Sequence, residues 1–241
     1  MTEYGDYDQP GADGVTGRIS ALLAKCVADV AVDGAAVAIM TDDASTRDLL
    51  YATDTAAERI DELQFTIGEG PCLEAFIRGH AQLEADLGDP TSFADWPTFA
   101  TEVIDELGVH GVFAFPLFTG GARLGVLELY RRRRDTFTAE QLTISQAAAD
   151  TVADAVTDIL ATAYDWTASG THRRPRGPFR FLRSDVNIAA GILAVQLGVS
   201  STDAFARLRA RAYADSRSIS SLAYDIMHHV VRLDDDEATP A

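Results

Sequence analysis

The sequence predicts an α+β chain: helices mixed with short strands of an antiparallel sheet, followed by a small all-α unit of three helices. Three observations predict it. Up to about residue 163, stretches with apolar residues at three- and four-residue spacing alternate with short continuous apolar runs. After residue 183 only the helical spacing persists. Between the two lies SGTHRRPRGP (residues 169–178), where Ser, Gly, Pro and Arg cluster and the charge changes sign.

Taken in order, Ile19, Leu22, Leu23, Cys26, Val27 and Val30 mark an amphipathic helix. Gly34 opens AAVAIM, and DLLYAT follows after a polar turn, which reads as two antiparallel strands. EGPCLEAFIRG predicts a helix begun by Pro71 and stopped by Gly79. HAQLEA, GVFAFPLF and ARLGVLELY are further strands, the last two joined by Gly120 and Gly121. In ARLGVLELY the apolar residues do not alternate cleanly, as in a strand covered on both faces. Thr138 and Gln141 form a capping box for a long helix. Its residues Ala149, Val152, Val156, Ile159 and Ala163 form an a/d seam that serves either self-association or packing within the domain. In the C-terminal unit, Ser184 caps a helix facing inward through Val186, Ala189, Leu193 and Leu197 and stopped by Gly198. Ser200 and Asp203 box a second, with Ala204, Leu208 and Ala212 on one face. Ser218 caps a third, with Ile219, Leu222, Ile226 and Val230 inward.

Charge divides the chain at the same place. The 241 residues carry 20 basic and 37 acidic side chains, a formal −17. Residues 1–170 hold 10 basic and 29 acidic residues, whereas residues 171–233 hold ten arginines and four aspartates. A swing of this kind predicts two parts with different partners. The expected division is a disordered acidic N-terminus (1–14), a sheet domain (15–163), a basic linker (164–183), the helical unit (184–233) and an acidic tail (234–241).

Composition excludes several classes. Hydrophobic residues at 47% and charged ones at 24% fit a globular chain and exclude wholesale disorder. Two cysteines, Cys26 and Cys72, make neither a disulfide scaffold nor a cysteine zinc site. No apolar run reaches the ~18 residues of a membrane span, and the acidic start is unlike a signal peptide. A soluble, cytoplasmic protein is expected, with no membrane partner. Lys25 is the sole lysine and follows no glycine-rich loop, which disfavours P-loop, kinase and Schiff-base chemistry. The histidines at 80, 110, 172, 228 and 229 form no metal motif, and no G-x-S-x-G elbow exists. Asp42 and Asp43 follow a strand as a phosphoacceptor pair would, but no lysine follows to complete a receiver. No enzyme, metal or cofactor is expected.

Two features remain. Cys72, at a predicted helix start, is either a redox-sensing thiol or a small core residue. The arginines at 173, 174, 176, 180 and 183 in the linker, and Arg207, Arg209, Arg211 and Arg217 on or after the second helix, suit phosphate and base contacts. They equally suit a solvated face or a docking surface for the acidic first domain.

The run Val186-Asn187-Ile188-Ala189-Ala190-Gly191-Ile192-Leu193, then Leu197-Gly198-Val199-Ser200, Asp203-Ala204-Phe205, Leu208-Arg209, Ala212 and Arg217-Ser218, resembles the ANTAR domain, a three-helix RNA-binding antitermination module. Many members carry Gln-Ala-Lys-Gly where this chain has Ile188-Ala189-Ala190-Gly191, so Ala190 stands in place of a lysine. The resemblance implies binding of RNA stem-loops in nascent transcripts as a dimer. It points to Arg209, Arg217, Ser218 and the surface at Ala190, with Arg207 and Arg211 adding phosphate attraction. A homodimer through the helix 138–163 is expected. The first part resembles a GAF domain through Ile67-Gly68-Glu69-Gly70-Pro71-Cys72-Leu73-Glu74-Ala75, Asp95-Trp96-Pro97, Phe115-Pro116-Leu117 and Leu124-Gly125-Val126-Leu127-Glu128-Leu129-Tyr130. That implies a sensor sheet with flanking helices and a small-molecule cavity, expected at Trp96, Phe113, Phe115 and Cys72. The alternative is a ligand- or redox-sensing protein that acts through protein partners without RNA.

Overall fold

The computed structural model describes residues 12–40, 47–163 and 183–231. Its elements are α1 (Ala12–Val30), β1 (Gly34–Met40), β2 (Arg47–Ala52), α2 (Thr55–Ile67), α3 (Pro71–Arg78), β3 (Gln82–Glu84), α4 (Pro90–Asp95), α5 (Pro97–Leu107), β4 (Gly111–Thr119), β5 (Ala122–Arg131), α6 (Ala139–Ala163), α7 (Ser184–Leu197), α8 (Ser201–Ala214) and α9 (Ile219–Met227). The five strands form one antiparallel sheet in the order β2-β1-β5-β4-β3. Gly120 and Gly121, both at positive φ (53° and 86°), make the two-residue turn between β4 and β5, with Thr119 opposite Ala122.

β5 lies at the centre and is covered on both faces, which explains its broken alternation. On one face Leu127 and Leu129 join Val37, Phe113, Phe115 and Leu117 against α1 and α6. On the other, Ala36, Val112 and Tyr130 meet α2 and α5, while Ala38, Met40, Ala114 and Val126 meet Cys72, Ala75 and Phe76 of α3. The capping box of α6 forms reciprocally: Gln141 N donates to Thr138 Oγ1 (3.2 Å) and Thr138 N to Gln141 Oε1 (3.0 Å).

The dimer expectation needs correction at its seam. Ala149, Val152, Val156 and Ile159 are all buried against α1 and the sheet of their own chain. The 3.5-residue period reflects packing within the domain, and the outward face of α6 carries Glu140, Asp150, Asp154 and Asp158 instead.

The C-terminal helices form their own core from Val186, Ala189 and Leu193, Ala204, Leu208 and Ala212, and Ile219, Leu222 and Ile226. Ser200 caps α8 by accepting from Asp203 N (3.1 Å), and Ser218 caps α9 by accepting from Ser221 N (3.1 Å). Ser184 is the first helical residue and not the cap, since Arg183 O already accepts from Val186 N and Asn187 N. Val230 is largely exposed and lies past the end of α9. Among the described residues no single helix is long and apolar enough to cross a membrane. Asp42 and Asp43, residues 1–11 of the expected disordered N-terminus (1–14), the expected acidic tail (234–241) and the linker arginines at 173, 174, 176 and 180 lie outside the described residues, whereas residues 12–14 open α1.

Candidate functional site

Charged side chains converge where the helical unit meets the sheet domain, and α2 positions them. Asp54 caps its start by accepting from Ala56 N and Ala57 N, both at 2.9 Å. Gly68 ends it in the left-handed region at φ 84°, where its amide donates to Gln64 O. Between these ends Ala56, Ile60 and Leu63 face the sheet. Phe65 packs into the core of the helical unit, with 2% of its surface exposed. Asp61, one turn earlier, lies fully buried below it.

Asp61 is held from both sides. Arg47 of β2 pairs with its Oδ1, and Arg183, at the entry to α7, places Nη2 at 2.7 Å from Oδ2 and 3.0 Å from Glu62 Oε2. Arg183 N donates to Asp48 Oδ1 at 2.9 Å, and the Arg183 guanidinium stacks 3.8 Å from the centroid of Phe65. Burial raises the pKa of Asp61, but the two guanidiniums outweigh it and hold the carboxyl below its ordinary range.

Beside this cluster Gln64 bridges α3 and the sheet. Its Oε1 accepts from Cys72 N (2.8 Å), and its Nε2 donates to Glu128 Oε2 (2.5 Å). Ala36 and Ala114, the neighbours of Glu128 on β1 and β4, leave room for that carboxyl. Burial pushes Glu128 up to about 7, against the opposing pull of Arg47 and Gln64. Burial likewise pushes the Cys72 thiol well above its ordinary value, with 1% exposed. Arg47 does not compensate, so the helix start does not yield a thiolate and Cys72 is a core residue.

The four residues expected to line one cavity fall into three packed clusters. Phe113 and Phe115 face α1 and α6, Trp96 packs with α2 and α5, and Cys72 packs under α3. Strand alternation separates them: Val112 and Ala114 share the face of Trp96 and Cys72, while Phe113 and Phe115 point through the sheet.

The residues expected to read RNA are also redistributed. Ala190 is buried, so a lysine there would not face solvent. Ser218 Oγ is engaged as the α9 cap. Arg217 pairs with Asp225 (2.6 Å) and donates to Ser221 Oγ (2.9 Å), and Arg211 pairs with Asp215 (2.8 Å). Arg207 and Arg211 are half-buried beside the inward face of α8. Arg209 turns toward the sheet domain, 4.4 Å from the ring centroid of Phe205 and 5.5 Å from that of Phe65. A side chain on Gly68 would meet its Nη1 at 2.8 Å. Its Nε is buried without an acceptor. Burial lowers its pKa to about 10, and Arg47 and Arg183 add to the shift.

An open cleft of about 510 Å³ runs beside this junction, lined by Thr55, Glu58 and Glu62 on one side and Arg183, Ser218 and Ser220 on the other. Among the described residues no three His, Cys, Asp or Glu side chains are grouped to hold a metal ion.

Residues 19–157, the sheet with α1 and α6, match the family described as GAF domain. The chain belongs to the GAF domain family. The GAF match ends before the helical unit. The fold is similar to the GAF domain from a phosphoenolpyruvate-protein phosphotransferase of Coxiella burnetii (18% identity, 64% of this chain and 87% of that chain, TM-score 0.49). It is also similar to the GAF domain of a two-component sensor histidine kinase from Bacillus halodurans (13%, 62% and 96%, 0.45). A third is a type II free methionine-R-sulfoxide reductase from Thermoplasma acidophilum (13%, 61% and 94%, 0.42). No curated protein matches the chain.

Sequence reasoning missed Asp61, Gln64 and Phe65 because it overlooked α2, and with them Arg47 of β2, whose partner Asp61 lies on that helix. The signals were present: Asp54 as a cap, Ala56, Ile60, Leu63 and Ile67 at helical spacing, and Gly68 as a stop.

Proposed function

We propose that this chain is a cytoplasmic signalling regulator, not an enzyme, whose GAF domain controls a C-terminal three-helix unit that binds RNA stem-loops. In this reading it acts in transcription antitermination, as the ANTAR resemblance implies. The observation that carries the reading is the helical unit. Its three helices, their caps at Ser200 and Ser218 and their shared core follow the helix boundaries of the ANTAR-like motif. Arginine supplies bidentate phosphate contacts and stacks on unpaired bases, and α8 offers the half-exposed Arg207 and Arg211. Binding needs no catalytic step, only exposure of that surface. A small-molecule input acting in the cleft between α2 and α9 would act on the junction itself.

Filter binding of stem-loop RNA at two salt concentrations tests the reading. Affinity should fall steeply with salt, and replacing Arg207 and Arg211 together by Ala should flatten that dependence. Absence of binding even at low salt, in the wild type and in variants with the helical unit released, ends it.

A second reading, action through a protein partner, is favoured by one observation. α7 leaves Ile188 (50%) and Val195 (85%) exposed on one side. Loss of a partner on replacing both by Ser, with RNA binding absent, would establish that reading instead.

A further inference from the structure

We propose that docking of the three-helix unit on α2 is an autoinhibitory contact: it covers Arg209, and the chain binds RNA only when the two modules separate. This rests on the RNA-binding reading above and adds its regulation. Three observations build it.

First, α2 serves two bodies. Its inner face completes the GAF core, while Phe65 sits in the core of the helical unit and is absent from the GAF clusters. Separation therefore empties one site in the helical unit and leaves the GAF core whole.

Second, the buried charges survive separation in pairs. Asp61 keeps Arg47 when Arg183 leaves, and both come from the GAF domain. Arg183 and Glu62, at the rim of the cleft, are free to be solvated. A junction whose deepest anion loses its only partner would be locked by desolvation. This one is not.

Third, the closed form carries a built-in cost at Arg209. That cation is covered by Phe65, Phe205 and Gly68, with Nε unsatisfied and no carboxylate partner among the described residues. Stacking on the two rings returns part of the cost. Phe65 and Arg183 favour closure, and the unsatisfied Nε of Arg209 opposes it. A phosphate or unpaired base that engages Arg209 can do so only in the open form, and RNA shifts the population toward it.

The test uses the full chain and a labelled pool of RNA stem-loops with randomised loops. Phe65→Ser and Arg183→Ala, singly and together, should each expose α2 and α8, read as faster amide exchange over residues 60–68 and 204–212. Melting of the GAF domain reports that it stays folded. The opened variants should bind RNA at least tenfold more tightly than the wild type. Adding Arg209→Met to an opened variant should remove most of that gain. Arg209→Met alone should slow exchange at the junction, because it removes the buried cation while keeping the packing. Equal binding by wild type and opened variants overturns the autoinhibitory contact and leaves RNA binding standing. Exchange unchanged even in the double variant overturns it as well, since these residues then do not hold the junction. Absence of RNA binding in every variant removes the RNA-binding reading, and this inference with it.

Discussion

On the side covered by α1 and α6, the GAF sheet meets Ile19, Leu23, Val152 and Val156, together with a buried Arg131 whose guanidinium lies over the rings of Phe113 and Phe137 and pairs with Asp135. On the side covered by α2 and α3, the same strands meet Arg47, Asp61, Gln64 and Glu128, all buried. One face is a mainly apolar core whose aliphatic and aromatic side chains gain from leaving water, with Arg131 as its buried charge. The other holds charges whose burial is tolerated through mutual pairing. The helical unit docks on the charged side, through Arg183 and Phe65. The contrast separates what holds the domain together from what connects it to its neighbour.

The apolar face should break most severely. Val152→Asp places an unpaired carboxylate between α6 and the sheet, costing about 4 kcal/mol or more and unfolding the GAF domain, as urea denaturation would show. The same substitution was the obvious test of a dimer seam; here loss of folding is expected, and a soluble, folded monomer would contradict the packing described.

Asp61→Ala attacks the charged face by leaving Arg47 and Arg183 without their shared anion. A loss of about 3–5 kcal/mol is expected by chemical denaturation. Replacing Arg47 and Asp61 together by Met and Leu should recover much of it.

Glu128 sharpens the comparison through pH. Its folded pKa of about 7 stands above the ordinary 4.5, so between these values the folded chain keeps a proton that the unfolded chain releases. Its contribution to stability is therefore greatest below pH 4.5 and lost as pH rises through about 7. Glu128→Gln should be more stable than the wild type at pH 8 by about 3 kcal/mol, and the gap should close toward pH 5. A gap independent of pH would place the titration elsewhere.

Tyr130→Phe is the mildest change. It removes the bond from the phenol to Asp54 Oδ1 (3.0 Å) and should cost about 1 kcal/mol in thermal melts.

Local signals made much of this fold legible. The caps at Thr138, Ser200 and Ser218, the Gly120-Gly121 turn and the spacing from Ile19 to Val30 each encode their element within a few residues. The candidate site was less legible, because its geometry depends on long-range placement. Trp96, Phe113 and Phe115 are alike in chemistry, but the register of β4 sends the last two to the far face. The seam of α6 has one spacing for two meanings, and only the position of α1 decides between them. Arg209 sits at the edge of an apolar helix face, so its destination depends on Phe65 of α2, a partner more than 140 residues away in the chain.

The strand order sets the timing of assembly. β1 pairs with β5 through Val37 and Leu127, ninety residues apart, whereas the contacts of the helical unit are local. At ~5–20 residues per second of synthesis, β1 waits roughly 5–18 s for its inner neighbour. During that interval its free edge is a template for pairing with another nascent chain. The segment Gly34–Met40 is rich in alanine, which presents little apolar surface while it waits. The helical unit, made after the sheet, meets strands that β5 has already had time to close.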